Sequence, residues 1–305
     1  LGADLPQRLH DPETAILMTH PMAEPDQLSG ASLPSPLFIV GSPRSGTSIL
    51  AHALLRAGYH GFVEGNFLSL LRAFDLRTDF HREVFANPGA PVLAGQIDWD
   101  AFKASIFQVF RTQVEAHHPV SPWLDKTGNP DMIEAIPIVL KLWPGAVFVY
   151  AKRRALENIV SRLVKFPQHD FEYHCRDWSR NMAAWRGLRA SIGARAIEID
   201  QQEIAQAPEF TAARLTNFIH ATGPMRIELR RAFIHRRPQQ TSPESATRIF
   251  DLDTIGWSPA QKDVFLGICG EEMRQFNYAT DRRYWLDPDR AALRPRGARL
   301  KEAAG

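Results

Sequence analysis

The residues best placed to handle an anion lie between Leu37 and Leu50, which read LFIVGSPRSGTSIL. The apolar run Leu37, Phe38, Ile39, Val40 ends at Gly41. Pro43, Arg44 and Ser45 follow, then Gly46, Thr47 and Ser48, and a helical pattern begins at Ile49. That is a buried strand, a tight loop and a helix start in succession. Backbone N–H groups of such a loop point inward and the helix dipole adds positive character, so the segment is built to hold an anionic oxygen group. The spacing is that of the phosphate cradle G-x-x-x-x-G-K-[ST], with Thr47 in the lysine position and Arg44 inside the loop. A second cationic group, Lys152, Arg153 and Arg154, closes the apolar run that starts at Ala146. Helical spacing predicts Arg154, Asn158 and Ser161 on one face, with Arg153 at the helix mouth. A guanidinium at a strand end and a hydroxyl from the next helix suit bidentate capture of a phosphate. A basic cap on a polar helix face is the plain alternative.

The two clusters also separate classes of chemistry. A magnesium-dependent nucleotide hydrolase or kinase places an acid at the end of a core strand to hold its metal. Here the clearest second strand ends in cations, and the loop lysine is missing. Both departures point to a nucleotide carrying an extra phosphate, with no metal. Asp125, in the short strand Trp123 to Thr127, keeps a magnesium-dependent P-loop kinase or NTPase open as an alternative. A non-catalytic nucleotide binder on the same scaffold is the other. The pairs His117–His118 and His169/His174 lack metal-ligand spacing and read as structural.

These residues need a frame. The chain of 305 residues is long enough for one large α/β domain or two small ones, and 44% hydrophobic with 23% charged residues is the balance of a soluble protein with a sizeable core. A net charge of +2 gives no argument for nucleic acid. The two cysteines, Cys175 and Cys269, make neither a disulfide framework nor a zinc pattern, so a reducing, cytoplasmic setting is expected. No transmembrane run or signal pattern is read. Along the chain, strands are expected at 37–41, 123–127, 146–151 and 196–199, with a short extended piece at 61–64. Helices are expected at 46–57, 66–76, 99–116, 130–142, 154–164, 172–191, 209–221 and 259–276. Residues 80–98 read as a loop, and the stretch between the last two helices as a polar, Arg-rich connection. Strands alternating with helices predict a P-loop-containing nucleotide-binding fold: α/β, a single domain, a parallel central sheet flanked by helices. Residues 1–36 read as a surface extension with one short helix near 12–19. The domain is expected over 37–280 and a basic tail over 281–305.

Three motifs in order now resemble a known family. PRSGTS at Pro43 to Ser48, WLDKTG at Trp123 to Gly128, and LWPGAVFVYAKRR running on to Ser161 are similar to the sulfotransferases that use 3′-phosphoadenosine-5′-phosphosulfate (PAPS). The likeness is to their tyrosylprotein-type and related bacterial branch. It implies that Pro43, Arg44, Ser45, Gly46, Thr47 and Ser48 cradle the 5′-phosphosulfate, with Arg44 beside the reacting centre. It implies that Arg153 and Ser161 bind the 3′-phosphate, and that Lys126 neutralises charge on the bridging oxygen. Glu64, in GFVEGN, matches the general base of this branch, and a closed pocket would raise its pKa toward neutrality. His60 and His52 are its rivals. Arg236, Arg237 and Arg248 fall where the family closes a loop over the nucleotide. The chain departs from the pattern in three places: RRAL replaces R-D-x-R, Gly128 stands for proline, and IEIDQQEI lacks the usual aromatic. The implied acceptor is a hydroxyl on a carbohydrate, lipid or natural product, or a phenol or tyrosine. Phe67, Phe74, Phe80, Phe85, Phe102, Phe107 and Phe110 either line that acceptor pocket or pack, and packing is expected of most. Acceptor identity and oligomeric state are not legible at this stage.

Overall fold

Five residues without a polar interruption, Leu37–Gly41, form β1 and are all buried. A strand apolar on both faces is buried on both, as in parallel sheets covered by helices. The computed structural model describes residues 36–87, 91–118, 120, 122–235 and 248–287. The expected extension over residues 1–35, its short helix, and the tail from residue 288 lie outside the described residues.

The sheet has five strands: β1, β2 (His60–Gly61), β3 (Trp123–Thr127), β4 (Val147–Lys152) and β5 (Ala196–Asp200). Their order is β2-β3-β1-β4-β5, and every pairing is parallel. Side chains alternate across the sheet and make two cores. Phe38, Val40, Phe148 and Tyr150 join one; Leu37, Ile39, Val149 and Ala151 join the other. The first core is closed by α5 (Ile136–Leu142), α6 (Ala155–Lys165), α7 (Phe171–Ile192) and α11 (Pro259–Gln275). The second is closed by α1 (Thr47–Arg56), α9 (Pro208–Phe218) and α10 (Gly223–His235). The remaining helices are α2 (Leu70–Phe85), α3 (Trp99–Ala116), α4 (Pro130–Glu134) and α8 (Gln201–Gln206).

The expected α/β architecture stands, with local corrections. The helix foreseen at 66–76 starts later and runs to Phe85, into the expected loop. Its core side is carried by Leu71 and Thr78, while Leu76, Phe80 and Val84 stand exposed on the other face, which blurs the periodicity. The expected helix 130–142 is broken at Ala135, because Pro137 lacks an N–H and begins a new helix. Two helices, α8 and α10, were not foreseen; α10 occupies much of the stretch read as a polar connection. Tyr278 bridges to Trp285, and Tyr284 is buried.

The connection after β1 runs to β2 on one side of the sheet, while that after β4 runs to β5 on the other. In open α/β sheets such a reversal leaves a crevice at the strand ends, where ligands bind. No helix among the described residues is long and apolar enough to cross a membrane.

Candidate active site

Every expected site residue that the structure describes, Arg248 apart, comes from a segment leaving the C-terminal edge of this sheet. The loop 42–46 leaves β1, where Gly41 has φ 144° and a side-chain Cβ would lie 2.1 Å from the Ala151 carbonyl oxygen. Only glycine allows β1 and β4 this approach. Arg44 takes a left-handed backbone, φ 69°, which turns the loop back toward α1. Helix α1 has no side-chain cap and no acid in its first turn. Its first N–H groups and dipole therefore face the loop without a competing anion from their own helix.

The second cluster folds directly against the first. Arg153 Nη1 donates to the Arg44 carbonyl at 3.2 Å, and Arg44 Nε donates to Ser161 Oγ at 3.0 Å. Asn158 Nδ2 donates to the Pro43 carbonyl at 2.9 Å and to Ser45 Oγ at 3.0 Å. Loop and helix α6 thus form one cationic corner. Burial, then the Arg153 charge, lowers the Arg44 pKa below its ordinary value; Arg153 is lowered chiefly by burial. Arg153 Nε is buried with no hydrogen-bond partner. Two crowded guanidinium groups with an unspent buried donor make a site that favours an anion.

Arg154 corrects the sequence reading. It is the N-cap of α6, with φ −56° and ψ 144°, so it does not share the helical face of Asn158 and Ser161. Its side chain turns inward and is fully buried. It makes a two-pronged pair with Glu157, at 2.8 and 2.5 Å. It also donates to the carbonyls of Phe250 (2.6 Å), Ala279 (2.8 Å) and Asp281 (2.5 Å). Burial opposes its charge, but the Glu157 hydrogen bond and charge raise its pKa. Beside it, Asp200 accepts from Tyr278 Oη at 2.5 Å and Tyr284 Oη at 2.8 Å. The arginine in place of the usual acid therefore ties the C-terminal segment to the strand ends. Trp178 Nε1, donating to the Arg153 carbonyl at 3.0 Å, fixes the same corner from α7.

On the other side of β1, Lys126 is nearly buried and pairs with Glu64. The loop carrying Glu64 is held by two backbone donors: Gly65 N–H to the Lys126 carbonyl at 2.9 Å, and Asn66 N–H to Thr127 Oγ1 at 3.0 Å. Thr127 Oγ1 in turn donates to Asp125 Oδ1 at 3.1 Å. Asp125 lies so close to Gly65 that a Cβ there would fall 1.7 Å from its Oδ2. Burial raises the Asp125 pKa to about 6 against the pull of Thr127 and Lys126. Glu64 does not sit in a closed pocket: its side chain is 54% exposed. What positions it is the lysine. His52 lies near enough to Lys126 for that charge, after burial, to lower its pKa. His60 lies on β2 and is exposed.

Thr47 is buried and Ser48 half-buried at the start of α1. Arg248 is exposed over the Phe250 ring, 4.7 Å from its centroid; Arg236 and Arg237 lie outside the described residues. Sequence reasoning missed Arg162. It is buried and links Ser42 Oγ (3.0 Å), His174 Nδ1 (3.3 Å) and Asp177 (2.6 Å), so it braces the loop from α6. Its position four residues after Asn158 was a usable signal. The Asp200, Tyr278, Tyr284 group had none, since its members are far apart in sequence.

Among known proteins, no curated protein matches this chain. Solved structures do. Sulfotransferase STF9 from Mycobacterium avium is 14% identical, with 82% of this chain and 79% of that one covered and a TM-score of 0.51. The sulfotransferase domain of the Synechococcus PCC 7002 olefin synthase is 17% identical, with 84% and 99% covered and a TM-score of 0.48. Mouse sulfotransferase SULT7A1, solved with PAP, is 14% identical, with 80% and 85% covered and a TM-score of 0.46. The first of these shares the fold. The family model described as the sulfotransferase family matches residues 36–222, well over half of the chain. The protein therefore belongs to the sulfotransferase family and is an enzyme that moves a sulfuryl group to an acceptor.

Proposed function

We propose that the donor is PAPS, that the acceptor is a hydroxyl compound, and that the two cationic clusters grip opposite ends of the donor. The observation that carries this is the joined corner of Arg44, Arg153 and Ser161, with Arg153 Nε buried and unpartnered. Such a donor suits a phosphate oxygen. Arg153 and Ser161 take the 3′-phosphate. The loop from Pro43 to Ser48 takes the 5′-phosphosulfate through its N–H groups, with Thr47 and Ser48 supplying hydroxyls. Arg44 reaches both. Arg248, and Arg237 outside the described residues, are assigned to donor binding on the family resemblance alone. No metal is assigned a role, since arginine and lysine balance the charge.

When bound, PAPS supplies a sulfuryl group on a phosphate leaving group. The chain has three tasks around it. The loop and the Arg44/Arg153 corner hold the donor in line with the acceptor oxygen. Lys126 would neutralise charge growing on the bridging oxygen, and a fixed donor lowers such a barrier strongly. Glu64 takes the acceptor proton. Its pairing with Lys126 holds the carboxylate at the sheet edge. The free, adjacent thiols of Cys175 and Cys269 (Cys269 Sγ lies 3.7 Å from the Cys175 carbonyl) support a reducing, cytoplasmic location.

Thermal unfolding with adenosine 3′,5′-bisphosphate (PAP), against ATP with magnesium, tests the donor. A ligand at a hundred times its Kd stabilises by about 2.7 kcal/mol. PAP is expected to raise the midpoint. A shift with ATP and magnesium alone would sink the reading in favour of a metal-dependent kinase.

A further inference from the structure

The chain at Arg153 lies between two regular elements. Strand β4 ends at Lys152, and α6 starts at Ala155 with Arg154 as its N-cap. The Arg153 carbonyl and the Arg154 N–H belong to one peptide group, and neither has a partner in the strand or in the helix. Buried backbone groups of this kind need partners. Trp178 Nε1 of α7 donates to the carbonyl at 3.0 Å, and the N–H donates to Tyr284 Oη at 3.1 Å. One peptide group is thus gripped at both ends, by side chains 25 and 130 residues away.

The grip is firmly held. Both aromatic side chains are buried, and the Tyr284 ring lies against Trp285 (centroids 4.5 Å apart) and beneath the Arg154 guanidinium (4.8 Å). The Tyr284 hydroxyl gives its one proton to Asp200 Oδ1 at 2.8 Å, so a lone pair faces the Arg154 N–H. Asp200 is fixed in turn by Tyr278 Oη at 2.5 Å and by the Gln202 N–H at 2.8 Å. Tyr284 reaches this place with a left-handed backbone, φ 72°, which is unfavourable for an aromatic residue. Strain of that kind persists where surrounding contacts over-determine it, and it gathers at functional sites. Here the Ala279 N–H, donating to the Tyr284 carbonyl at 2.8 Å, secures it.

What the grip serves is the side chain of Arg153. The acids whose charges reach it, Glu157 and Asp200, are already taken, the first by Arg154 and the second by the two tyrosines. Among the described residues no ion pair holds this guanidinium, so its direction is set from the main chain beneath it. We infer that Tyr284 and Trp178 are positioning residues for the donor: by clamping the peptide group between Arg153 and Arg154, they set the angle at which the Arg153 guanidinium meets the 3′-phosphate. This rests on the donor reading above and deepens it with two residues that lie outside every sequence motif of the site. Both act through Arg153. A merely structural pair of bonds would support folding and leave the nucleotide untouched.

The test measures equilibrium binding of PAP to the full chain, well below its unfolding midpoint. Tyr284→Phe keeps the ring and removes one hydroxyl; Trp178→Phe removes the indole N–H. Each is expected to raise the Kd about fivefold, the scale of one lost neutral hydrogen bond. In an Arg153→Met background either change is expected to move the Kd by less than about twofold, because residues that act through one group are not additive. Trp185→Phe is the control: it removes a buried indole N–H bonded to Glu198 at 2.9 Å and is expected to bind PAP as the native chain does. Should Trp178→Phe not fold, the isosteric tyrosine variant alone decides. A native Kd in Tyr284→Phe, the same fold-loss with and without Arg153, or an equal loss in Trp185→Phe overturns the inference and leaves the donor reading standing. Absence of PAP binding by the native chain overturns the donor reading and the inference with it.

Discussion

Replacing Arg153 by methionine should strengthen the empty protein and weaken its grip on the nucleotide. Methionine fills most of the same space without charge, so no large cavity follows. In the ligand-free fold the guanidinium gives one neutral acceptor contact, Nη1 to the Arg44 carbonyl at 3.2 Å, worth about 1 kcal/mol. Against this stand a buried Nε without a partner, costing about 1–3 kcal/mol, and the crowding with Arg44. The net change in the empty protein is then roughly 0–2 kcal/mol in favour of the variant. With PAP the sign reverses. A charged hydrogen bond to phosphate is worth about 1.5–3 kcal/mol, so Kd rises roughly 10–150-fold. At a PAP concentration giving the native chain about 2.7 kcal/mol, a variant weakened fifty-fold gains only about 0.6 kcal/mol. Thermal unfolding with and without PAP reads both quantities in one experiment. An empty variant that melts several degrees lower, or a PAP shift equal to the native one, would refute the idea that this corner is strained toward an absent anion.

Three other substitutions probe neighbouring parts of the argument. Glu64→Gln should leave PAP affinity within about twofold yet reduce turnover at least about a hundredfold, measured by transfer from labelled PAPS, since a positioned base contributes on that scale. Glu157→Gln strands the buried Arg154 guanidinium, and urea unfolding should report a loss of about 3–5 kcal/mol. Asp125→Asn tests a pH linkage. The folded carboxyl keeps its proton to about 6 whereas its ordinary value is 3.8, so folding takes up a proton between the two. That stabilising contribution is whole below the lower value and gone above the upper one. The asparagine variant should therefore be more stable than the native chain at about pH 8, by at most about 3 kcal/mol, and lose the advantage by about pH 4.

The strand–loop–helix at 37–56 was legible because all its signals are local: an unbroken apolar run, a glycine at each turn and a clean helical onset. The strands that carry Lys126 and precede Arg153 were legible in the same way, while Lys126 itself was singled out only by the resemblance. Reading failed where one position served two masters. Arg154 looks helical by spacing, yet as the N-cap it keeps an extended backbone and swings into the core. Helix α10 is rich in arginine and reads as a linker; only its packing on α1 and α9, through Leu229 and Phe233, reveals it as core. The carboxylate at 200 and its two tyrosines are joined by topology alone. The expected closed pocket around Glu64 was an inference from chemistry, and the structure supplies a lysine partner instead.

The buried arginine at 154 has a consequence for synthesis. Three of its partners are main-chain oxygens between Phe250 and Asp281, made only after all five strands. Until that stretch leaves the ribosome, the strand holding the adjacent phosphate-seeking arginine has nothing to clasp. The proposed nucleotide seat is therefore braced only after the sheet is made, by contacts reaching back 96 to 127 residues, and such long-range closure is slow. A nascent chain halted after α10 would carry its whole sheet and yet have no finished place for the donor.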